Sequence, residues 1–239
     1  TASMTAGTNN ELTITAYDSL GNVATAYTGS HDLTFSGLTN APLGTVPTVE
    51  GTNQGTAVSI SFTAGVSSTN AATLIAYCAE SSKTVNVTDG TINSNSGHGL
   101  GLSVSAGSAD NLHFLVGPSN TVAGVSISPS ITVQVRDQWN NVRTADSSTS
   151  VTMAIGTNPG SGTLSGTNPR TASSGIATFN DLSIDKVGTG YTLVASSGAL
   201  TTDTSSTFNI TPAAAGYLVI TGTASMTAGT NNELTITAY

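Results

Sequence analysis

Charged side chains are scarce in this sequence of 239 residues. Only 8% of the residues are charged, and 13 acidic residues against 5 basic ones give a formal charge of −8. Globular domains average about 25% charged residues. Five basic residues cannot build the basic stripe that neutralises phosphates, so the composition argues against nucleic-acid binding.

Long apolar runs, cysteines and aromatic residues are also few. No apolar run approaches the roughly 20 residues that a membrane span needs, so we expect no membrane insertion in this segment. Cys78 is the only cysteine, which excludes an intramolecular disulfide and a zinc site built on cysteines. We expect Cys78 to be a buried small hydrophobe, with an intermolecular disulfide as the alternative. Aromatic residues make up 5% of the sequence, and Trp139 is the only tryptophan.

The sequence is instead rich in Thr, Ser, Gly, Ala and Asn, and β-branched residues are plentiful. Such a composition favours strands. Apolar residues alternate with polar ones in seven segments, which predicts half-buried antiparallel strands at 12–17, 58–62, 84–88, 131–136, 151–155, 191–195 and 208–210. Clusters of Gly, Asn, Asp, Ser and Pro separate these segments, as expected for turns. The fold class that follows is all-β.

The alternation also predicts which side chains form the core. In the N-terminal half we expect burial of Leu12, Ile14, Val58, Ile60 and Phe62. In the C-terminal half the corresponding list is Ile131, Val133, Val135, Met153, Phe179, Leu193 and Phe208.

The most specific feature is an identity between the two ends of the sequence. Thr1–Tyr17 (TASMTAGTNNELTITAY) recurs unchanged as Thr223–Tyr239, which sets a period of 222 residues. Seventeen identical residues in order are too many for a coincidence. We therefore interpret the sequence as one period of a longer tandem array plus an overlap.

A weaker repeat lies inside this period. Leu12–Ala26 superimposes on Ile131–Ala145 at an offset of 119 residues, and Thr5–Gly7 matches Val122–Gly124 at an offset of 117. The period thus holds two related units of about half its length. Many short strands in units of about 100 residues are typical of immunoglobulin-type β-sandwiches.

Three segments of the second unit carry a family resemblance: ADNLHFLVGPSNTVAGVSISPSITVQVRDQWNNV, GTLSG and SGIATFNDLSIDKVGTGYTLVAS. They resemble the bacterial immunoglobulin-like modules of the invasin and intimin type, which are also similar to filamin repeats. The resemblance covers Ala109–Pro212 well and Thr1–Gly107 more loosely. Because such modules form long tandem arrays on bacterial surface proteins, the resemblance implies an extracellular protein of a prokaryote.

Three parts of the chain follow from the internal alignment. Residues 1–107 (unit one) are predicted to form an immunoglobulin-like sandwich that lacks its first strand, and residues 108–212 (unit two) a second such sandwich. Residues 213–239 are predicted to begin the next repeat. The links between the parts are short and are not Gly/Ser tethers, so we expect neighbouring units to sit in a fixed relation.

The apolar residues of the last part define the predicted inter-repeat strand, which consists of Tyr217, Leu218, Val219 and Ile220. An incomplete sandwich with an open edge invites a strand from elsewhere. Either a preceding repeat in one continuous polypeptide supplies it, or each chain docks its C-terminal segment into a neighbour. The identity of the overlap favours the continuous array.

No catalytic, cofactor or metal site is predicted, and we do not expect an enzyme. The three histidines, His31, His98 and His113, lack the spacing of metal ligands. Asp18 and Asp137 each open a D-x-x-[GN]-N segment that fits an Asp-capped turn better than a calcium site.

Three other residues are candidates for modification or contact. Asn86 and Asn209 open the sequons NVT and NIT, which are glycosylation sites if the source glycosylates asparagine. Trp139 lies in a turn where unit one has Leu20. It is interpreted as an aromatic that packs at a joint or, as the alternative, binds a ligand.

These observations favour a structural repeat unit of an extracellular filament or stalk at the cell surface. Its expected partners are identical copies or neighbouring repeats along a fibre. The alternative is an adhesin or a carbohydrate-binding repeat module, whose partners would be surface glycans or other cells.

Overall fold

The computed structural model describes residues 2–95, 97–222 and 225–239, and within these ranges it contains 24 strands and no helix. The all-β prediction is confirmed, and the sheets form immunoglobulin-like sandwiches. Thr1, Thr223 and Ala224 of the terminal repeat lie outside the described residues. Accordingly, no helix capable of spanning a bilayer occurs in the described part of the chain.

Unit one contributes ten strands in two sheets. The strands are β1 (Ala2–Thr5), β2 (Asn9–Glu11), β3 (Gly29–Ser36), β4 (Thr48–Val49), β5 (Thr52–Asn53), β6 (Ala57–Thr63), β7 (Val66–Ser67), β8 (Thr73–Ile75), β9 (Glu80–Thr88) and β10 (Leu100–Ser105). One sheet has the order β1-β10-β9-β3-β6-β7 and the other β2-β8-β4-β5.

Unit two contributes twelve shorter strands. They are β11 (Asn111–Val116), β12 (Thr121–Val122), β13 (Ile131–Arg136), β14 (Ser150–Ile155), β15 (Leu164–Ser165), β16 (Arg170–Thr171), β17 (Ile176–Phe179), β18 (Ser183–Ile184), β19 (Gly188–Tyr191), β20 (Leu193–Ser196), β21 (Asp203–Thr204) and β22 (Phe208–Thr211). They form the sheets β11-β13-β17, β12-β22-β19, β16-β14-β20-β21 and β15-β18. The chain ends in a hairpin of β23 (Leu218–Thr221) and β24 (Thr235–Ala238).

Both units contain the same local path near their N-terminal ends, at β1 in unit one and at β12 in unit two. A short strand runs parallel to the closing strand of its unit, β1 beside β10 and β12 beside β22. The strand then turns at Gly7 in unit one and at Gly124 in unit two, with φ of 76° and 77°. Positive φ is the conformation in which a Cβ atom is unfavourable. The equivalence found in the sequence at an offset of 117 is thus also an equivalence of backbone.

Each unit has its own hydrophobic core, but the two cores differ in how well they are closed. All seven predicted core residues of unit two are at most 2% exposed. In unit one, Ile60 and Phe62 are buried, whereas Leu12, Ile14 and Val58 are only half-buried at the edge of the cluster. The predicted full burial of these three is therefore wrong. Val58 lies near the start of β6, at the periphery, and the other two border an open groove described below.

The predicted strand at 12–17 is the one of the seven that does not form. This segment makes only isolated bridges, from Thr15 to Val66 and from Tyr17 to Val23. The other six predicted strands coincide with β6, β9, β13, β14, the β19–β20 pair and β22. Identical sequence forms β24 near the C-terminus, where β23 lies beside it. Strand formation in this sequence thus depends on the surroundings of the segment and not on local propensity alone.

Candidate functional site

The turn that follows residues 12–17 is built around one carboxylate. Asp18 Oδ1 accepts hydrogen bonds from the backbone amides of Leu20 (2.9 Å) and Asn22 (2.8 Å). The Asn22 side-chain amide donates to Asp18 Oδ2 at 3.0 Å. The side-chain bond from Asn22 is the largest cause that lowers the pKa of Asp18. The predicted Asp-capped turn is confirmed here.

The same turn recurs in unit two with the same bonds. Asp137 Oδ1 accepts from the amides of Trp139 and Asn141, each at 2.9 Å, and the Asn141 side chain donates to Asp137 Oδ2 at 2.8 Å. The two turns differ in solvent exposure. In unit two, Asp137 is fully buried. In unit one, Leu20, at the position equivalent to Trp139, is 86% exposed.

The buried turn forms the joint between the two units. The Asn141 side-chain amide donates to the carbonyl of Tyr77 at 2.7 Å, and its Oδ1 accepts from the amide of Ala79 at 2.8 Å. Asp137 Oδ2 accepts from the amide of Gly107 at 2.8 Å. Arg143 Nε donates to the Gly107 carbonyl at 2.9 Å. Three hydrogen bonds from this turn and one from Arg143 thus tie unit two to unit one.

Trp139 lies in this joint. Its ring packs against the core of unit one and stands 5.5 Å from the ring of Tyr77, at an angle of 51°. The ring also approaches Gly7 so closely that a Cβ there would come within 1.8 Å of it. Glycine is therefore required at position 7 for two reasons, its positive φ and its lack of a side chain.

Unit one carries an open groove of about 1260 Å³. Both sandwich layers contribute apolar residues to its lining, among them Leu12, Ile14, Leu33, Phe35, Val85 and Val87. Segment 12–17 forms one wall of this groove. The half-burial of Leu12 and Ile14 has its cause here, because no described residue covers their outer side.

The backbone of segment 12–17 is paired along one side. The amide of Ala16 donates to the Gly65 carbonyl, and that of Ser67 to the Ile14 carbonyl, both at 2.8 Å. In an extended chain successive residues present their N–H and C=O groups to opposite sides. The backbone groups of Thr13 and Thr15 therefore point to the groove, because the bridge between Thr15 and Val66 is formed through the bonds of Ile14 and Ala16.

The C-terminal hairpin of β23 and β24 is separate from the sheets of unit two. Its strands pair with each other and with no other strand of the described chain. Several of its apolar side chains are largely exposed, namely Tyr217 (65%), Leu218 (67%), Ile220 (64%), Leu234 (59%) and Ile236 (61%). The predicted inter-repeat strand is thus an apolar strand that is satisfied on one edge only.

The two sequon asparagines lie in strands. Asn86, in β9, is half-buried, and its side-chain oxygen lies 3.4 Å from Ser94 Oγ. Asn209, in β22, is also half-buried, and its side-chain oxygen accepts from the Gly190 amide at 3.0 Å. Glycosylation of either residue remains a prediction.

The remaining candidate side chains do not converge. His31 stacks on Tyr27 with ring centroids 3.7 Å apart, and His113 Nδ1 lies 3.3 Å from Asp203 Oδ2. Cys78 is half-buried beside the joint rather than buried as predicted, because it lies at the end of unit one. Its partial burial raises the pKa of the thiol. The described residues hold no group of three or more His, Cys, Asp or Glu side chains that could bind a metal ion.

No protein-family model and no curated protein matches the chain. Among solved structures, the chain is similar to a glycosyl hydrolase family 2 member from Bacteroides cellulosilyticus (13% identity, TM-score 0.35, 85% of this chain and 23% of that one). It is also similar to a β-glucuronidase from Parabacteroides merdae (10% identity, TM-score 0.30, 85% and 23%). A chimeric titin Z1Z2 tandem matches with 15% identity and a TM-score of 0.23, over 89% of this chain and 94% of that one. The chain spans about a quarter of the length of the first two.

Proposed function

We propose that this chain is a structural repeat of an extracellular filament or stalk on a prokaryotic cell surface, built from tandem immunoglobulin-like sandwiches. The observation that carries the proposal is the identity of Thr1–Tyr17 with Thr223–Tyr239. Residues 2–17 of the first copy form part of a folded unit, whereas residues 225–239 of the second belong to an exposed hairpin. An exposed apolar hairpin of this kind fits the first strands of a further repeat unit.

The joint between the units supports the same function. Four hydrogen bonds and the ring of Trp139 connect unit one to unit two, and every bond involves a side chain of the buried turn 137–141 or the adjacent Arg143. A stalk needs neighbouring units that keep their orientation under load. Flexible linkers would instead allow each unit to rotate freely.

The alternative is an adhesin or a carbohydrate-binding repeat, for which Trp139 is the natural sugar platform. The ring of Trp139 packs on Gly7 and near Tyr77. A sugar platform needs an exposed ring, whereas the ring of Trp139 is half-buried at the joint. We therefore favour the structural role.

Immunogold electron microscopy of the source cells tests the proposal. Antibodies raised against the 239-residue chain should label surface threads at regular axial intervals, and antibody absorbed with the purified chain should not. Label confined to the cell interior would contradict the proposal. A glycan array separates the alternative: binding that Trp139→Ala abolishes, with an unchanged circular dichroism spectrum, would favour the adhesin.

A further inference from the structure

The groove of unit one and the exposed strand of the C-terminal hairpin are complementary. We propose that the groove binds residues 217–221 from a neighbouring copy of the repeat. This inference rests on the proposed tandem organisation. It specifies how successive copies are joined, which strand is shared and in which register.

In unit two, the position equivalent to this groove is occupied by a strand, β11. There β11 pairs antiparallel with β13, with Leu112 opposite Val135 and Phe114 opposite Val133. The other edge of β11 is also bonded, since the Leu112 amide donates to the Thr201 carbonyl at 3.0 Å. Leu112 is only 4% exposed in this position. By the alignment, the counterpart of β13 in unit one is segment 12–17, the open wall of the groove.

The hairpin supplies the strand and its register. Residues 12–17 are identical in sequence to residues 234–239, and β24 lies within that copy. In the hairpin, Leu218 lies opposite Ala238, Val219 opposite Thr237, and Ile220 opposite Ile236. Transferred to the first copy, these pairs place Leu218 opposite Ala16, Val219 opposite Thr15, and Ile220 opposite Ile14.

This register agrees with unit two at each inward position. Ala16 aligns with Val135 and Ile14 with Val133 at the offset of 119. Leu218 therefore takes the place of Leu112, and Ile220 takes the place of Phe114. Side chains directly opposite each other in an antiparallel pair share a face of the sheet. Leu218 and Ile220 consequently point into the groove, and Val219 points to solvent.

Exchange of partners conserves the backbone ladder and adds burial. In a continuous array, residues 234–239 are segment 12–17 of the following copy, and the hairpin pairing is already the proposed one. Between two separate chains, residues 217–221 leave β24 and join segment 12–17 of the other chain; the sequence beside them is unchanged, so the pairing lost equals the pairing gained. The gain comes from Leu218 and Ile220, which are 67% and 64% exposed in the hairpin. Leu12 and Ile14 are covered in the same step. Removal of this apolar surface from water drives the association.

Disulfide cross-linking between two single-cysteine variants of the full chain tests the register. Thr15→Cys and Val219→Cys are each made in a Cys78→Ser background, mixed in equal amounts and oxidised. Directly opposed residues have Cα atoms about 5 Å apart, within the range of a disulfide. A Thr13→Cys chain mixed with the Val219→Cys chain is the off-register control, since two residues along a strand move the Cα by about 6.6 Å.

A second set of variants tests the inward face. Leu218→Asp, added to the Val219→Cys chain, places a charge in the groove and should lower the yield of cross-linked dimer by at least about tenfold. Thr221→Asp, on the outward face of the same strand, is the matched control and should leave the yield unchanged. Both positions are exposed in the hairpin, so neither variant is expected to unfold the two units. Circular dichroism verifies this.

We expect the 15–219 dimer to exceed the 13–219 dimer by about tenfold or more. Equal yields in both registers, no dimer at all, or a yield indifferent to Leu218→Asp would overturn the inference. The result is separable from that on the proposed function. Labelled surface threads without this cross-link would support the proposed filament and contradict the proposed strand pairing. The cross-link without surface label would support the strand pairing and contradict the filament.

Discussion

Unit one and unit two share a chain path but differ at one position in space. Unit two has β11 beside β13, and its core residues at that edge, Ile131, Val133 and Val135, are fully buried. In unit one the equivalent residues border a groove, and two of them, Leu12 and Ile14, are half-exposed. The difference shows what one edge strand contributes to a sandwich: it closes the core and also turns the segment beside it into a strand.

The largest expected effect compares equivalent core positions. Ile131→Ala should lower the free energy of unfolding of unit two by about 2–5 kcal/mol, because it leaves a cavity in a closed core. Leu12→Ala, at the equivalent position of unit one, should cost about 1 kcal/mol, because the groove already exposes this side chain. Denaturant unfolding of both variants measures the difference. Equal costs would mean that the groove is closed in solution.

The second prediction isolates the joint. Gly124→Ala should cost about 1–2 kcal/mol for the positive φ alone, since an added Cβ would have open space around it. Gly7→Ala meets the same backbone penalty, and displacement of the Trp139 ring should add about 1–3 kcal/mol. Trp139 fluorescence should change only in the Gly7 variant. An unchanged spectrum there would contradict the packing of the ring at the joint.

The third prediction compares the two Asp-capped turns. Asn141→Ala removes bonds to Tyr77 and Ala79 across the joint and should cost about 1–3 kcal/mol. Asn22→Ala removes a solvent-exposed bond to Asp18 and should cost at most about 0.5 kcal/mol. Limited proteolysis between the units should accelerate only in the Asn141 variant. Faster cleavage in both would show that the exposed turn also holds the units together.

The smallest expected effect is a pH dependence of unit two that comes from Asp146. Burial opposes ionisation of Asp146, but bonds from Thr149 and Ser148 and the charge of Arg143 outweigh it and lower the pKa to about 2. Because this pKa lies below the ordinary value of 3.8, the stabilisation is complete above about pH 4 and is lost as the pH falls through about 2. Because solvent screens the charge of Arg143, the contribution of Asp146 to the free energy of unfolding is limited to about 1–2 kcal/mol.

Asp146→Asn serves as the control for the predicted pH dependence. Unit one has no carboxylate at the aligned position, which is Tyr27. The variant should reduce the loss of stability that unit two shows in thermal melts between about pH 4 and pH 2. An acid profile that is identical in the variant and the parent chain would assign the pH dependence to other carboxylates.

The sequence predicted the fold class and most strands because alternation of apolar residues is a local signal. It also predicted the Asp-capped turns, since Asp and Asn at that spacing bond their own backbone. The groove could not be predicted, because burial of Leu12 and Ile14 depends on whether another segment lies beside them. At the joint between the units, the sequence pointed only to Trp139. It did not predict the role of Asn141, because the equivalent residue in unit one, Asn22, makes no bond beyond its own turn.

The most direct test of the account is a cryo-electron microscopy reconstruction of the native surface material. The account predicts an axial repeat of two sandwiches, in which every copy of segment 12–17 has a strand from residues 217–221 of its neighbour beside it, with Leu218 opposite Ala16. A map in which this groove is empty, or is filled by another segment, would contradict the account.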